Sequence, residues 1–520
     1  MNGSEAMVHT LLEGNVDVCF ANPGTSEMHF VSALDRAPGM RCVLGLFEGV
    51  VTGAADGYYR MAEKPAATLL HLGPGLGNGL ANLHNAKRGN SGIVNIVGQH
   101  GLDHIHNDAP LNSDVEAVAR PMSHWVKTTR SSTAAPMDTA EAISQARSTP
   151  GRIATLILPA NCAWEPSDPG KYSTAPAQTS ALPLTETVQA IARMLSDPAT
   201  AATTTLLLGG PALRARATEY AGKIAAHTGC KLACEPRNPR TERGRGRVNV
   251  VPLPFPVDGA VAMLRDTKNL VLVGSANPVA FFAYPDKPRM IKQPDCALHT
   301  LATLGHDIDA TLRALCDAVG AHNTPPAQVS NGLLPDALPT GAATADTIGF
   351  IIAATLPENA IMIDEAVTSG RQFPKVMPLA APHDCIDITG GSIGFGLPAA
   401  VGAAIACPDR KVFAFIGDGS AMYTIQSLWT MAREQLDITV VIFANRSYRI
   451  LRGELANMGG PAPGDSARRM LDLDNPNLDF VALAKGHGVP GVQVDSLEGL
   501  EKMLRIASRE KGPRLIELVM

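Results

Sequence analysis

The chain has 520 residues, 45% of them hydrophobic and 18% charged, with a formal net charge of −5. That length points to about three domains of roughly 150 residues each, and a mildly acidic chain with no basic run excludes nucleic acid as a partner. The longest apolar stretch, near 397–407, is broken by Gly402 and falls short of the ~20 residues of a membrane span, and no basic segment precedes an apolar one at the start, so a cytoplasmic enzyme with nine scattered, reduced cysteines is expected.

Two stretches rich in Pro, Ser and Thr, 165–183 and 321–341, read as linkers. They divide the chain into 1–165, 184–320 and 341–520. Each piece alternates strand-like and helix-like segments, which predicts an α/β protein of three domains, each with a mostly parallel sheet flanked by helices. In the first piece, Val43-Leu-Gly-Leu-Phe47 opens as a strand and passes into a helix at Glu48, an acid among apolar neighbours. Further on, Gly73-Pro-Gly-Leu-Gly-Asn-Gly79 follows a strand. A dinucleotide-binding turn needs Gly at its first, third and sixth positions. Here the sixth is Asn78, Leu80 or Asn82, so the motif fails in every register and a nicotinamide oxidoreductase is set aside. His100, His104, His106 and Asp108 form a dense polar cluster, read as a polar loop ahead of a metal site.

The segments 151–158 and 512–519 both run from Gly through a nearby Arg into a buried-type strand, a hint that the outer domains are built alike. The middle piece has strand-like runs at 205–208 and 269–273, each followed by Gly.

The third piece carries the most informative pattern. Asp418 ends the apolar run Phe413-Ala-Phe-Ile-Gly417, and Asn445 ends Val440-Val-Ile-Phe-Ala444, 445 − 418 = 27 positions later. Between them Ile425, Leu428, Trp429 and Ala432 recur at helical spacing over 424–434. A β-α-β unit of this kind puts a carboxylate and an amide oxygen at the carboxyl ends of two parallel strands, where open α/β sheets bind ligands. Two oxygen donors without a soft one suit Mg²⁺ or Ca²⁺, with phosphate completing the shell. Gly417 and Gly419 let backbone N–H groups approach such a phosphate, and the helix start adds a favourable dipole. Arg449 and Arg452 follow on one helix face and read as a solvated face ahead of a seat for an acidic substrate.

These residues resemble the thiamine diphosphate-dependent 2-oxo acid decarboxylase and acetolactate synthase family, and most of all the benzoylformate decarboxylase pattern. The segments that carry it are Asn22-Pro-Gly-Thr-Ser-Glu27, Glu48 with Ala55-Asp-Gly-Tyr58, the run from Leu70-His71 to Gly77-Asn78, Gly98-Gln99, Gly390-Gly-Ser-Ile-Gly-Phe-Gly-Leu-Pro-Ala-Ala400, Gly417-Asp-Gly-Ser-Ala-Met-Tyr-Thr-Ile425 and Asp479-Phe-Val-Ala-Leu-Ala-Lys-Gly-His487. The resemblance covers nearly the whole chain. It implies thiamine diphosphate and Mg²⁺ as cofactors, a 2-oxo acid as small-molecule substrate, and a homodimer or homotetramer with the cofactor at the subunit interface. Glu48 would hydrogen-bond the pyrimidine ring and favour its imino tautomer. The Gly391 carbonyl would accept from the amino group, Ile393 would wedge the cofactor into a bent form, and Asp418, Asn445 and the Ser447 carbonyl would hold the metal.

Further cofactor contacts are implied at Asn22, Pro23, Gly24, Thr368, Ser392, Gly417, Gly419, Ser420, Tyr423, Tyr448, Arg449 and Ile450. Ile450, Leu451 and Glu454 fall where the family lines its substrate pocket. His71 matches a proton-relaying histidine, Thr25 or Ser26 would meet the substrate carboxylate, and Gln99 would face the thiazolium. The family pattern has a second histidine in the middle domain, whereas this chain reads Asn277-Pro-Val-Ala-Phe-Phe-Ala-Tyr284 there. The expected activity is 2-oxo acid decarboxylation (a lyase). Acetolactate synthase-like carboligation (a transferase) is the alternative. Many such synthases carry FAD in the middle domain; this one resembles the flavin-free decarboxylases, so FAD is not expected.

Overall fold

Long runs of β-branched and aliphatic residues, buried on both faces, make the central strands of the computed structural model, which describes residues 1–167, 180–459 and 462–520. The first sheet has six strands: Val18–Asn22 (β1), Arg41–Leu44 (β2), Ala66–Leu70 (β3), Ile93–Gln99 (β4), Trp125–Thr128 (β5) and Ile153–Pro159 (β6), in the order β2-β1-β3-β4-β6-β5. Every pairing is parallel. β4 and β6 are buried at each position, as strands covered by helices on both faces must be.

The central segment gives Thr204–Leu208 (β7), Lys231–Cys234 (β8), Thr241–Arg243 (β9), Asn269–Val273 (β10) and Ala297–Ala302 (β11). Four of them pair in parallel in the order β11-β10-β7-β8. β9 does not join them. It adds antiparallel to the edge of the third sheet, with Arg243 opposite His383.

That third sheet holds Ile361–Glu365 (β12), His383–Asp387 (β13), Val412–Gly417 (β14), Ile438–Ala444 (β15), Gly491–Val494 (β16) and Arg514–Val519 (β17). Its order is β16-β17-β15-β14-β12-β13-β9. Apart from β9, this is the strand order of the first sheet read from the other edge. The outer sheets are built alike, as the matching 151–158 and 512–519 segments suggest.

The linker expected over 165–183 lies mostly outside the described residues. The other, 321–341, has no helix or regular strand but is pinned: Ala327 N–H donates to the Gly222 carbonyl, and Ser330 Oγ to the Pro378 carbonyl at 2.7 Å. All nine cysteines are free thiols. Among the described residues no helix is long and apolar enough to cross a membrane.

Two helices join the outer sheets. Helix Glu48–Ala62 packs on helix Gly396–Ala406 through small residues at a very short distance. A Cβ on Gly57 would lie 2.1 Å from the Ala399 carbonyl oxygen, and one on Gly402 would lie 1.9 Å from that of Ala54. Either substitution forces the helices apart. Buried Arg60 ties the same joint. It donates to both Asp56 oxygens at 2.7 Å, to the Asp387 carbonyl at 2.7 Å and to Thr389 Oγ1 at 2.9 Å. This packing fixes where Glu48 and the 390–394 loop stand.

Candidate active site

The sequence-predicted residues gather in three groups. The first lies at the carboxyl ends of β1, β3 and β4. Asn22 ends β1, Pro23 and Gly24 turn the chain, and Thr25–Glu27 forms a short 3₁₀ turn. His71 follows β3 directly and caps helix Leu72–Arg88. Its Nδ1 is 2.8 Å from Glu27 Oε2 and 3.2 Å from Ser26 Oγ. Ser26 donates to Glu27 Oε1 at 2.6 Å, and the Gly24 N–H donates to Glu27 Oε2 at 2.8 Å. Glu27, only 3% exposed, is thus the hub of the group.

A Cβ on Gly24 would fall on the His71 ring, 2.1 Å from Nδ1, so that ring lies against the turn. Gly75 brings two acid–base groups together. A Cβ there would lie 3.1 Å from Glu48 Oε1 and 3.2 Å from His71 Cβ. Glu48 opens its helix, as read from the sequence, and accepts from Asn78 Nδ2 at 3.0 Å. The Gly-rich run 73–79 is the start of a helix and forms no dinucleotide loop. Gln99 ends β4, is buried, and accepts from the His100 N–H at 2.8 Å. Thr25 is exposed.

The second group follows β14 and β15. These strands pair in parallel, with Gly417 opposite Phe443, which brings Asp418, the next residue, beside the end of β15 that leads into Asn445. Between them come a single turn, Asp418–Ala421, and helix Ser427–Arg433, shorter than the 424–434 read from the sequence. The Arg446 N–H donates to Asp418 Oδ2 at 2.5 Å, and the Ser447 N–H to Asn445 Oδ1 at 3.1 Å. Asp418 Oδ1 accepts from the Gly419 N–H at 2.8 Å. Burial pushes the Asp418 carboxyl up from its ordinary range. The Ser447 carbonyl accepts from the Arg449 N–H at 2.8 Å, which leaves its second lone pair. Tyr448 covers Gly419: a Cβ on that glycine would lie 2.4 Å from the ring. Ser420 is buried below. These carboxylate, amide and carbonyl oxygens fit a hard divalent cation carrying phosphate.

The third group is the loop before helix Gly396–Ala406. Gly391 and Gly394 take φ of +74° and +92°, open to glycine and costly for other residues. Asn85 holds Ser392 at both ends, donating to its carbonyl at 2.8 Å and accepting from its N–H at 3.2 Å. Asn82 donates to the Gly49 carbonyl at 2.8 Å and the Gly394 carbonyl at 3.1 Å, which links the loop to the Glu48 helix. Glu365, at the end of β12, accepts from the N–H groups of Gly394, Phe395 and Gly396 at 2.7, 3.2 and 2.6 Å. Burial pushes its carboxyl up to about 7. Ile393 is half-buried against the main core, and Tyr423 presses on Gly394.

Strain collects here as well. Leu72, Val367 and Arg446 have φ of +41°, +50° and +54°. They adjoin His71, Thr368 and Asn445, and for a β-branched Val that region is an outlier. Thr368, Arg449 and Ile450 line a common cavity beside the loop that follows β15. Arg452, by contrast, is spent on an ion pair with Asp472. In the His100–Asp108 loop, His104 Nδ1 is 3.0 Å from Asn107 Nδ2 and His100 stacks edge-on to His104. Among the described residues no set of three His, Cys, Asp or Glu is arranged to hold a metal ion.

Sequence reading missed the roles of Glu27, Glu365, Asn82 and Asn85. The last two left a signal, since fully buried amides three apart on an apolar helix face need partners.

Comparison with known proteins agrees with this geometry. Residues 1–119 match the thiamine pyrophosphate enzyme N-terminal TPP binding domain, and residues 368–518 the C-terminal TPP binding domain. The chain is 48% identical over 522 residues to the protein of Mycobacterium tuberculosis named "Putative acetolactate synthase large subunit IlvX", covering 100% of this chain and 99% of that one. It is 30% identical to "Benzoylformate decarboxylase" of Pseudomonas aeruginosa, covering 96% and 95%. The solved structure of "Rhodococcus jostii RHA1 thiamine diphosphate-dependent 4-hydroxybenzoylformate decarboxylase" superposes with a TM-score of 0.86 at 25% identity, over 99% and 98% of the two chains. The chain is a thiamine diphosphate-dependent enzyme and belongs to the family that holds the 2-oxo acid decarboxylases and acetolactate synthases.

Proposed function

We propose that this enzyme decarboxylates a 2-oxo acid, using thiamine diphosphate anchored through Mg²⁺, and then either protonates the remaining acyl fragment to an aldehyde or joins it to a second carbonyl. The observation that carries this is the Ser26–Glu27–His71 cluster, set beside Glu48 across Gly75. Bound thiamine diphosphate supplies an electron sink for loss of CO₂. Asp418, Asn445 and the Ser447 carbonyl hold the metal, with Gly419, Ser420, Thr368 and Arg449 toward the diphosphate. Glu48 hydrogen-bonds the pyrimidine end, and the Gly391 carbonyl and Ile393 set its orientation.

His71 moves the proton. With Nδ1–H given to Glu27, the ring keeps Nε2 for the reaction, and the side chain is 21% exposed. The Glu27 carboxylate fixes that tautomer. Thr25, exposed on the same turn, offers its hydroxyl to the substrate carboxylate, since the Ser26 O–H is already given to Glu27. In one chain Glu48 is hydrogen-bonded to Asn78 of the neighbouring helix Leu72–Arg88. The reading places Asp418 of a second copy opposite it, in a homodimer or homotetramer.

A specific observation favours the joining branch. Where the family pattern has a second histidine, the central segment brings Phe281 against Gly391, and its Tyr284 hydroxyl already donates to Glu454 Oε2 at 2.7 Å. Fewer proton donors lengthen the life of the acyl fragment and leave it for a carbonyl acceptor. A panel of 2-oxo acids, with and without aldehyde acceptors, tests both branches in the presence of Mg²⁺ and thiamine diphosphate. CO₂ release that needs both cofactors is expected. Its absence with every acid overturns the proposal.

A further inference from the structure

The carboxyl ends of β8, β12 and β13 and helix Arg449–Asn457 enclose a cavity of about 1200 Å³. It opens beside the metal loop, since Thr368, Arg449 and Ile450 form one wall. Part of the remaining lining is apolar and exposed. Val251, Phe255 and Phe281 are 49%, 36% and 49% exposed, and Met458 at the rim is 71% exposed. Phe281 stacks on Phe255 at 5.1 Å and leans on the 390–394 loop, where a Cβ on Gly391 would meet its ring at 3.1 Å. The Tyr284–Glu454 hydrogen bond ties this wall to the helix across the cavity.

Two features identify what fills it. A continuous apolar face of this kind marks a binding site, and it is continuous with the proposed reaction centre. Some charges along the cavity are matched, Arg237 with Asp387 at 2.7 Å, Arg371 with Asp346 at 2.6 Å and Lys287 with Asp258, whereas Arg243 and Lys375 have no carboxylate partner among the described residues. Arg449 has no carboxylate partner among the described residues but stands next to the metal loop, where the diphosphate claims it. Pockets for drug-sized ligands run from roughly 300 to 1,000 Å³, and a three-carbon acid such as pyruvate would leave most of this one empty.

We propose that the 2-oxo acid used by this enzyme carries a long apolar side chain, alkyl or arylalkyl, that extends from the cofactor into this cavity. The proposal rests on the decarboxylation reading above. Burying each added methylene raises kcat/KM about threefold to fourfold until the cavity is filled.

The test is kcat/KM for CO₂ release along the straight-chain series from pyruvate to 2-oxodecanoate, with the Mg²⁺–thiamine diphosphate holoenzyme. Gly453→Phe provides the control. Gly453 lines the cavity on the exposed side of its helix, and a Cβ there meets nothing within 4 Å, so the new ring fills space without displacing anything. The expected result is a steep rise with chain length in the wild type. In Gly453→Phe, 2-oxodecanoate should lose about tenfold or more while pyruvate is unchanged. Turnover of pyruvate with no gain from longer chains overturns this inference and leaves the decarboxylase reading standing. Equal losses on all acids in Gly453→Phe also overturn it. No CO₂ from any acid removes the underlying reading, and the inference with it.

Discussion

His71 and Asp418 hold the same place in two sheets that, β9 set aside, share one strand order, each being the residue that follows the third strand of that order. One half of the molecule places an imidazole there, the other a carboxylate. The shared topology brings both to carboxyl ends of central parallel strands, where the helix that follows turns its positive end toward a ligand. In the proposed reading, the same fold serves proton transfer in one sheet and anchoring of a phosphate-bound cation in the other.

Asp418 is the strongest of the proposed metal donors. Asp418→Ala should raise the Kd of thiamine diphosphate in saturating Mg²⁺ by about 100-fold, roughly 2.7 kcal/mol. Titration by intrinsic fluorescence, with and without chelator, measures it. Tight binding in the variant with chelator present contradicts the assignment.

Glu27 touches no reacting atom in this account and acts through His71. His71→Ala should lower kcat by about 100-fold or more. Glu27→Gln should lower kcat by about tenfold with little change in KM, because the ring loses its fixed tautomer. The double variant should fall no further than His71→Ala alone, the non-additivity expected of residues that act as a unit. Additive losses would show that Glu27 has a separate role.

Glu365 makes stability depend on pH. Burial raises its carboxyl to about 7 in the folded chain, against 4.5 for the free side chain. The folded state therefore holds a proton that the unfolded chain has already lost. Stability from this group is fully present below about 4.5 and is lost as pH rises through about 7. Glu365→Gln should remove that slope. Thermal unfolding from pH 4.5 to 7.5 should show wild type losing stability relative to the variant by about 3 kcal/mol at most. Parallel curves would mean that Glu365 is ionised throughout.

Much of the site could be read from the sequence because it depends on local pattern. Asp418 and Asn445 each end a β-rich run, and parallel pairing of neighbouring strands then places them together. Glu48 stands at a strand–helix junction that the apolar pattern marks. What escaped depends on contacts between distant segments. Glu365 reaches N–H groups about thirty positions ahead, and no local signal distinguishes it from any acid at a strand end. The three residues of β9 carry no apolar alternation, so their place in the third sheet follows only from the packed central segment. The helix expected over 424–434 starts three residues late, because 424–426 form turns. Positive φ at Leu72, Val367 and Arg446 runs against each residue's own preference and is imposed by the surroundings.

The central claim is that Glu48 activates thiamine diphosphate held by the Asp418–Asn445 metal site. Exchange of the C2 proton of the bound cofactor for deuterium, followed by NMR after rapid acid quench, tests it most directly. Wild-type enzyme with Mg²⁺ should exchange about 1,000-fold faster than free cofactor, and Glu48→Gln should retain the cofactor but exchange near the free rate. Equal exchange in the wild type and Glu48→Gln, or no acceleration in either, would contradict the account.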